Sequence, residues 1–359
     1  MVTRFAIASM QSFFFRLSRE LRDTIYYFYV YESDDYYFDF ESCKFRALGN
    51  RSIDLALSLT FKSVAAEMHH LALESNVLNF TTGYSEAERL RAGHFNILCE
   101  QMEYHKISLL EALRNKPLGD FKSKDVDAKI TQRYPQFKSL LPRLRGREIM
   151  GSASDRFPDR WGVAESYFRG FLDYLIEVLS EDTDFINTYV DFCDRQQRDG
   201  CYKKKHLFCQ PEIVPFVRSE FLLSSPKPWT VPSDDELAQL DDVRADGFRE
   251  SPVWKRIKWR FSAAAVAIEF FKSLPPQALL RIRNVVLTED RLSIGRPECH
   301  GLGLIQFCLQ NPNLRIEVSQ ERRSLNLDRI TVRVSDLTLR ISVSESYLIA
   351  GSDRFWNRS

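Results

Sequence analysis

No apolar run in this chain approaches the roughly 20 residues that a bilayer-spanning helix needs, so no helical membrane span is expected. Charge of one sign is also missing. Lys plus Arg number 50 against 49 Asp plus Glu, which argues against a mainly electrostatic partner such as bulk nucleic acid. The seven cysteines are odd in number and widely scattered, and are expected as reduced thiols in a cytoplasmic or nuclear compartment. The opening Met1–Ala8 carries one charge and a short apolar piece. Gln11 and Ser12 interrupt it and Arg16 and Arg19 close it, so a secretory leader is not expected.

The usual chemical signatures are equally sparse. Glu67-Met68-His69-His70 lacks the i,i+4 histidine pair that sets two imidazoles on one helix face, and reads as polar surface histidines. His94, Cys99 and His105 lie at spacings that do not bring them together. Lys138, Arg143, Arg145 and Arg147 form a small basic group without a glycine-rich phosphate loop, and read as a solvated face between helices. Ser152 and Ser154 lie in no G-x-S-x-G frame. Cys193, Cys201, His206 and Cys209 are the best metal-ligand set, but seven residues separate Cys193 from Cys201 where a zinc finger uses two to four. Cys299 beside His300 invites a nucleophile-and-base reading, against the plainer one of a helix-start turn. No cofactor, no metal and no catalytic residue is therefore assigned.

What is present is a globular composition. The 359 residues allow two or three domains, and the 44% hydrophobic content with 27 Phe supplies a sizeable core.

The most patterned stretch is Phe13 to Tyr31. Phe14, Leu17, Leu21, Ile25 and Phe28 recur at spacings of three and four, one face of a helix. Ser18 is placed to cap it through its hydroxyl, and Glu20 sits in the first turn, where the helix dipole favours an anion. The aromatic run Tyr26 to Tyr31 favours a strand, so the helix is expected to end near Ile25 to Phe28.

Leu17 to Tyr26, LSRELRDTIY, resembles the opening of the F-box-like proteins of filamentous fungi, which begin Leu-Pro-x-Glu-Leu-Arg and continue to Ile-Tyr or Ile-Trp. Leu57 to Glu67 resembles the second helix of that pattern, and Glu74 to Phe80 the short strand after it. The resemblance covers roughly residues 13–80 and departs from the family at Ser18, usually Pro, and Phe61, commonly Cys. Phe261-Ser262-Ala263, Phe270–Pro276, Arg281–Asn284, Pro297–Gly301 and Asn311–Glu317 resemble a segment of uncharacterised ascomycete proteins with the same opening. The resemblance implies a partner, the small adaptor of cullin-type ubiquitin ligases, with Phe14, Leu17, Ser18, Leu21 and Ile25 as the partner-binding residues. The residues themselves favour an internal core role for Leu21 and Ile25.

Further elements follow from period and punctuation. Tyr36–Phe40 reads as a strand paired with the aromatic run through a turn at Glu32–Asp35. Ile53–Leu73 reads as a helix burying Leu55, Leu59, Val64, Met68 and Leu71; Ser85–Leu113 as another; and Ala164–Leu179 as a third, burying Phe168, Phe171, Leu172, Leu175 and Leu179. Residues 224–254 read as a connector with a short helix near Glu236–Leu240. Beyond it come a strand through Ile257, Trp259 and Phe261, a helix over Ala263–Phe271, a strand over Asn284–Leu287, a helix over Gly301–Leu309, a strand over Leu314–Val318, and strands over Ile330–Val334 and Leu337–Val343. Val332 and Leu339 are expected inside and Arg333 and Arg340 outside. Leu280-Arg281-Ile282, Leu314-Arg315-Ile316 and Leu339-Arg340-Ile341 hint at helix–strand units whose strands lie side by side.

The fold expected is α+β (mixed α/β). An F-box-like helical unit spans 1–80, a mostly helical region 81–223, a connector 224–254, and a mixed helix–strand region 255–359. The function expected is a protein–protein interaction module, in which the opening docks the ligase adaptor and the C-terminal part recognises a protein client. A metal- or thiol-dependent enzyme and a structural scaffold without a ligase link are the alternatives.

Overall fold

A computed structural model of the protein describes residues 13–115, 123–140, 165–181, 185, 187, 226–244, 256–295, 297–320 and 329–332. The chain has the α+β composition expected: helices with one mixed sheet. It divides into two compact units, and the division follows space rather than sequence. The first unit gathers residues 1–81, 269–290 and 305–334, and the second gathers 82–268, 291–304 and 335–359.

The first unit holds the sheet. Its seven strands among the described residues are β1 (Tyr36–Asp39), β2 (Lys44–Ala47), β3 (Arg51–Ser52), β4 (Val77–Thr81), β5 (Asn284–Glu289), β6 (Arg315–Gln320) and β7 (Arg329–Val332), in the order β3-β2-β1-β4-β5-β6-β7. Strands β1, β4, β5 and β6 run parallel, and each margin is antiparallel. Register aligns Leu78 with Val285 and Ile316, and Phe80 with Leu287 and Val318. All but the half-buried Val318 are buried, so one face of the sheet carries a continuous apolar layer. Phe270 and Phe271 of helix Ala263–Ser273 pack on Phe80 at centroid distances of 5.7 and 6.1 Å. Of the three hinted helix–strand units, the strands of the first two, β5 and β6, are parallel neighbours, and Leu339–Ile341 lies outside the described residues. Buried Asn311 fixes their connection by donating to the carbonyls of Leu279 and Ile282 at 2.9 and 2.8 Å.

Helix α1 (Arg19–Val30) runs past its expected end. The aromatic run is helical, because Tyr26 and Val30, four residues apart, enter one core cluster with Val64 and Met68. Burial on a helical spacing overrides the β preference of the individual residues. The Glu32–Asp35 turn therefore joins a helix to β1, and β1 instead forms a hairpin with β2. The long helix expected over Ile53–Leu73 is broken into a 3-10 turn at Leu57–Leu59, α2 (Lys62–Glu67) and α3 (Leu71–Ser75). His70, at φ +64, makes the break. Val64 and Met68 are buried as expected, but Leu55 and Leu59 are exposed.

The second unit is helical in its described part. It contains α4 (Arg89–Asn115), α5 (Ser123–Arg133), α6 (Glu165–Ser180) and α7 (Asp234–Arg244), and the greater part of α8 (Ala263–Ser273). Every apolar residue expected on the buried face of α6 is buried. Phe137 stacks on Phe171 at 4.2 Å, and Lys106 of α4 bonds Asp173 of α6 at 2.5 Å. The short helix expected within the connector is present as α7, and Ser233 and Glu236 cap it reciprocally: Ser233 N–H donates to Glu236 Oε2 at 2.7 Å and Glu236 N–H to Ser233 Oγ at 3.2 Å. No strand forms through Ile257 and Trp259; Phe261 alone makes an antiparallel bridge, to Gly83. The first unit continues with α9 (Pro276–Leu279) and α10 (Ile305–Gln310). The Cys193–Cys209 group, Arg143, Arg145 and Arg147, Ser152 and Ser154, residues 333–343 and the side chain of Val332 lie outside the described residues.

Candidate functional site

Helix α1 carries apolar side chains on two adjoining arcs, with Glu20, Asp23 and Thr24 on the opposite side, and its own unit buries only one of the two. At about 100° per residue, Tyr29, Arg22, Tyr26 and Val30 fall within an arc of roughly 100°, and Phe28, Leu21 and Ile25 within an adjoining arc of roughly 60°. The first arc faces the core: Tyr26 is 0% and Val30 3% exposed. The second faces solvent: Leu21 is 55%, Ile25 40% and Phe28 71% exposed. The exposure of Leu21 and Ile25 corrects the expectation that both are core.

The phase of the helix is set by a carboxylate 45 residues away in the chain. Arg22 donates Nε to Glu67 Oε2 at 2.9 Å and Nη2 to Glu67 Oε1 at 2.7 Å. The Tyr26 hydroxyl donates to the same Oε2 at 2.7 Å, and Arg19 lies 3.2 Å from Oε1. Arg22 Nη1 also donates to the Leu17 carbonyl at 2.7 Å. Residues 22 and 26 are thus pinned toward α2, and the Leu21–Ile25–Phe28 ridge is turned outward. The Arg22 guanidinium holds the Glu67 carboxyl down at about 2, against a burial that pushes the other way. Burial, then the bond to Glu67, raises the Tyr26 phenol to about 12.

The far end of α1 is held by buried Asn76. Its amide donates to the carbonyls of Val30 and Ala72 at 2.9 and 2.8 Å, and its Oδ1 accepts Glu32 N–H at 2.8 Å. Tyr36 donates its hydroxyl to the Val30 carbonyl at 2.6 Å. Helix-end groups that would otherwise be orphaned are thereby satisfied.

The other expected partner-binding residues have different surroundings. Phe14 is half-buried against Tyr26, 5.7 Å between centroids, and so serves the internal core. Leu17 is half-buried, and its carbonyl is held by Arg22. Ser18 stands at the N-cap with extended backbone, but its hydroxyl makes no capping bond. Glu20 occupies the first turn as expected; its own backbone amide, then the Ser18 hydroxyl, lower its carboxyl. Sequence reasoning missed Glu67 and Asn76. The only available signal was the polarity of Glu67 between Ala66 and Met68; Asn76, after Glu74 and Ser75, had none.

Cys299 and His300 lie in the 3-10 turn Pro297–Leu304 that leads into α10, the plainer of the two readings, and the alternative nucleophile-and-base pair does not form. His300 is fully buried, with Nδ1 2.5 Å from Ser262 Oγ and Nε2 2.9 Å from the Gly295 carbonyl, so neither ring nitrogen serves Cys299. The carbonyl requires the proton on Nε2, and Ser262 then donates its hydroxyl to Nδ1. Ser262 Oγ also accepts Ala265 N–H at 2.9 Å and caps α8. Gly295 N–H donates to Asn96 Oδ1 at 3.0 Å, which completes a satisfied buried chain without solvent access for a substrate. Burial lowers the His300 imidazole to about 4; the Gly295 carbonyl opposes this and Arg169 adds to it.

His69 and His70 meet with ring centroids 3.5 Å apart instead of diverging as adjacent residues of one helix do, because α2 ends at Glu67 and His70 is left-handed. Among the described residues, no three His, Cys, Asp or Glu side chains gather in a way that could hold a metal ion, and no helix is long and apolar enough to cross a membrane. Comparison with protein-family models, with curated proteins and with solved structures finds no match to this chain.

Proposed function

We propose that this chain is a protein–protein interaction module that docks a partner on the Leu21–Ile25–Phe28 ridge. The observation that carries the reading is the divided apolar surface of α1, with one arc in the core and the adjoining arc exposed on a rigidly oriented helix. An exposed apolar ridge held on an oriented helix marks an interaction surface. On the F-box-like resemblance, the partner is the small adaptor of cullin-type ubiquitin ligases, and the chain serves as a substrate adaptor that presents a protein client.

Titration of the purified adaptor into the full chain by calorimetry tests the ligase reading. Saturable binding at equal stoichiometry is expected. If an adaptor preparation active toward other partners gives no heat of binding, the ligase reading is removed and an interaction module without a ligase link remains.

A further inference from the structure

We propose that Lys258 and Arg260, gathered over the Tyr84 ring, form a binding site for a phosphate monoester. The site lies within the second unit, and the inference stands apart from the docking reading of α1.

Backbone pairing builds the site. Gly83 N–H donates to the Phe261 carbonyl at 2.8 Å, and Phe261 N–H to the Gly83 carbonyl at 3.0 Å. In an antiparallel pair the next two residues, Tyr84 and Arg260, then stand opposite each other with their side chains close. The Arg260 carbonyl also accepts Ile294 N–H at 2.9 Å, so the backbone here is tied on two sides. The Arg260 guanidinium lies 4.5 Å and the Lys258 ammonium 5.9 Å from the Tyr84 ring centroid. Stacking on an aromatic face orients a guanidinium without neutralising it or using its N–H donors.

Half-buried Arg22, Arg89, Arg91 and Arg283 each pair with a carboxylate. Arg260 is also half-buried, yet among the described residues neither its side chain nor that of Lys258 has a hydrogen-bond or ion-pair partner. A half-buried cation held in place with its donors unused points to an anion from outside the chain.

The charge of that anion follows from the neighbours. Glu86 accepts the Tyr84 hydroxyl at 2.5 Å and Arg89 Nε at 2.8 Å. The Tyr84 hydroxyl, then Arg89 and Lys258, hold the Glu86 carboxyl below its ordinary value, against burial. With Arg89 matched by Glu86, Lys258 and Arg260 leave two positive charges uncompensated. A phosphate monoester carries close to two negative charges near neutral pH, and its oxygens suit both the arginine fork and the lysine ammonium. A carboxylate, with a single charge, meets only part of this demand.

Calorimetric titration of methyl phosphate into the full chain, at about pH 7.5 and constant ionic strength, tests the proposal, with acetate as the singly charged control. Saturable binding of methyl phosphate at equal stoichiometry is expected, with acetate weaker. Arg260→Gln and Lys258→Gln should each lower the affinity about tenfold or more, since each removes bonds to a charged group. Glu86→Gln should raise it about threefold or more, by removing the opposing charge and releasing Arg89. A gain of that kind does not arise from a damaged fold. Binding should weaken below about pH 6, where the ester takes up its second proton. No saturable heat from the wild type, acetate bound as tightly as methyl phosphate, an Arg260→Gln variant that binds like the wild type, or a Glu86→Gln variant no tighter than the wild type would each overturn the site. A phosphoserine peptide as a third probe identifies the source of the ester. Tighter binding than methyl phosphate places it on a protein partner, equal or weaker binding on a small molecule, and both sustain the site.

Discussion

Arg22 of α1 grips Glu67 of α2 through two hydrogen bonds, of 2.9 and 2.7 Å, and this pair decides which side of α1 meets solvent. The pair also has a pH signature. The Glu67 carboxyl is held near 2 in the folded chain, against 4.5 ordinarily, so the unfolded chain binds a proton that the folded one refuses between those values. Its contribution to stability is complete above about pH 4.5 and is lost as pH falls toward about 2. Glu67→Gln should flatten the stability profile in that window. Urea titrations from pH 5 to 2.5 check this, and an unchanged slope in the variant would refute it.

A second window belongs to His300. Its imidazole is lowered from 6.5 to about 4, so the unfolded chain takes up a proton first as the pH drops. Stability should therefore decline from about pH 6.5 down to about 4. His300→Gln should lack this slope, whatever its absolute stability. Urea midpoints between pH 7 and 4 distinguish the two proteins.

Ser262→Ala should cost roughly 2–4 kcal/mol, combining a lost helix cap with an orphaned buried imidazole nitrogen. Ser262→Thr keeps the hydroxyl and should recover part of that cost. Equal losses in the two variants would show that space at the site, not the hydrogen bond to His300, sets the penalty.

Gly303→Ala tests the tight seating of Trp229. A Cβ at Gly303 would collide with the Trp229 indole and come within 2.6 Å of Ile268 Cδ1. Overpacking of this kind costs about 1–3 kcal/mol. The variant should melt lower and shift its tryptophan emission; an unchanged melting temperature would mean that the indole moves aside freely.

Sequence pattern alone located α6, β5 and β6, because each has one clearly apolar side: Phe168, Phe171, Leu172, Leu175 and Leu179 on α6, Val285 and Leu287 on β5, and Ile316 on β6. The phase of α1 was not legible. Tyr26 to Tyr31 is apolar or aromatic at every position, so no period in it distinguishes inside from outside. The deciding contact comes from Glu67, remote in the chain. Nor did any glycine announce the break at His70, whose left-handed backbone divides one expected helix into two. The pairing of β4 with β5, Val77 beside Asn284, joins segments on either side of residues 82–268, and no local pattern specifies it.

The central claim is that Leu21 and Ile25 form a docking ridge and not a core. It is tested most directly by measuring melting and adaptor binding on one protein, the double variant Leu21→Ser with Ile25→Ser. Two apolar side chains buried on binding contribute roughly 1.5–3 kcal/mol each, so adaptor affinity should fall at least about a hundredfold. Folding should lose only about 1 kcal/mol, chiefly from helix propensity. A variant that loses several kcal/mol of stability, or that binds the adaptor as well as the wild type, would contradict the account.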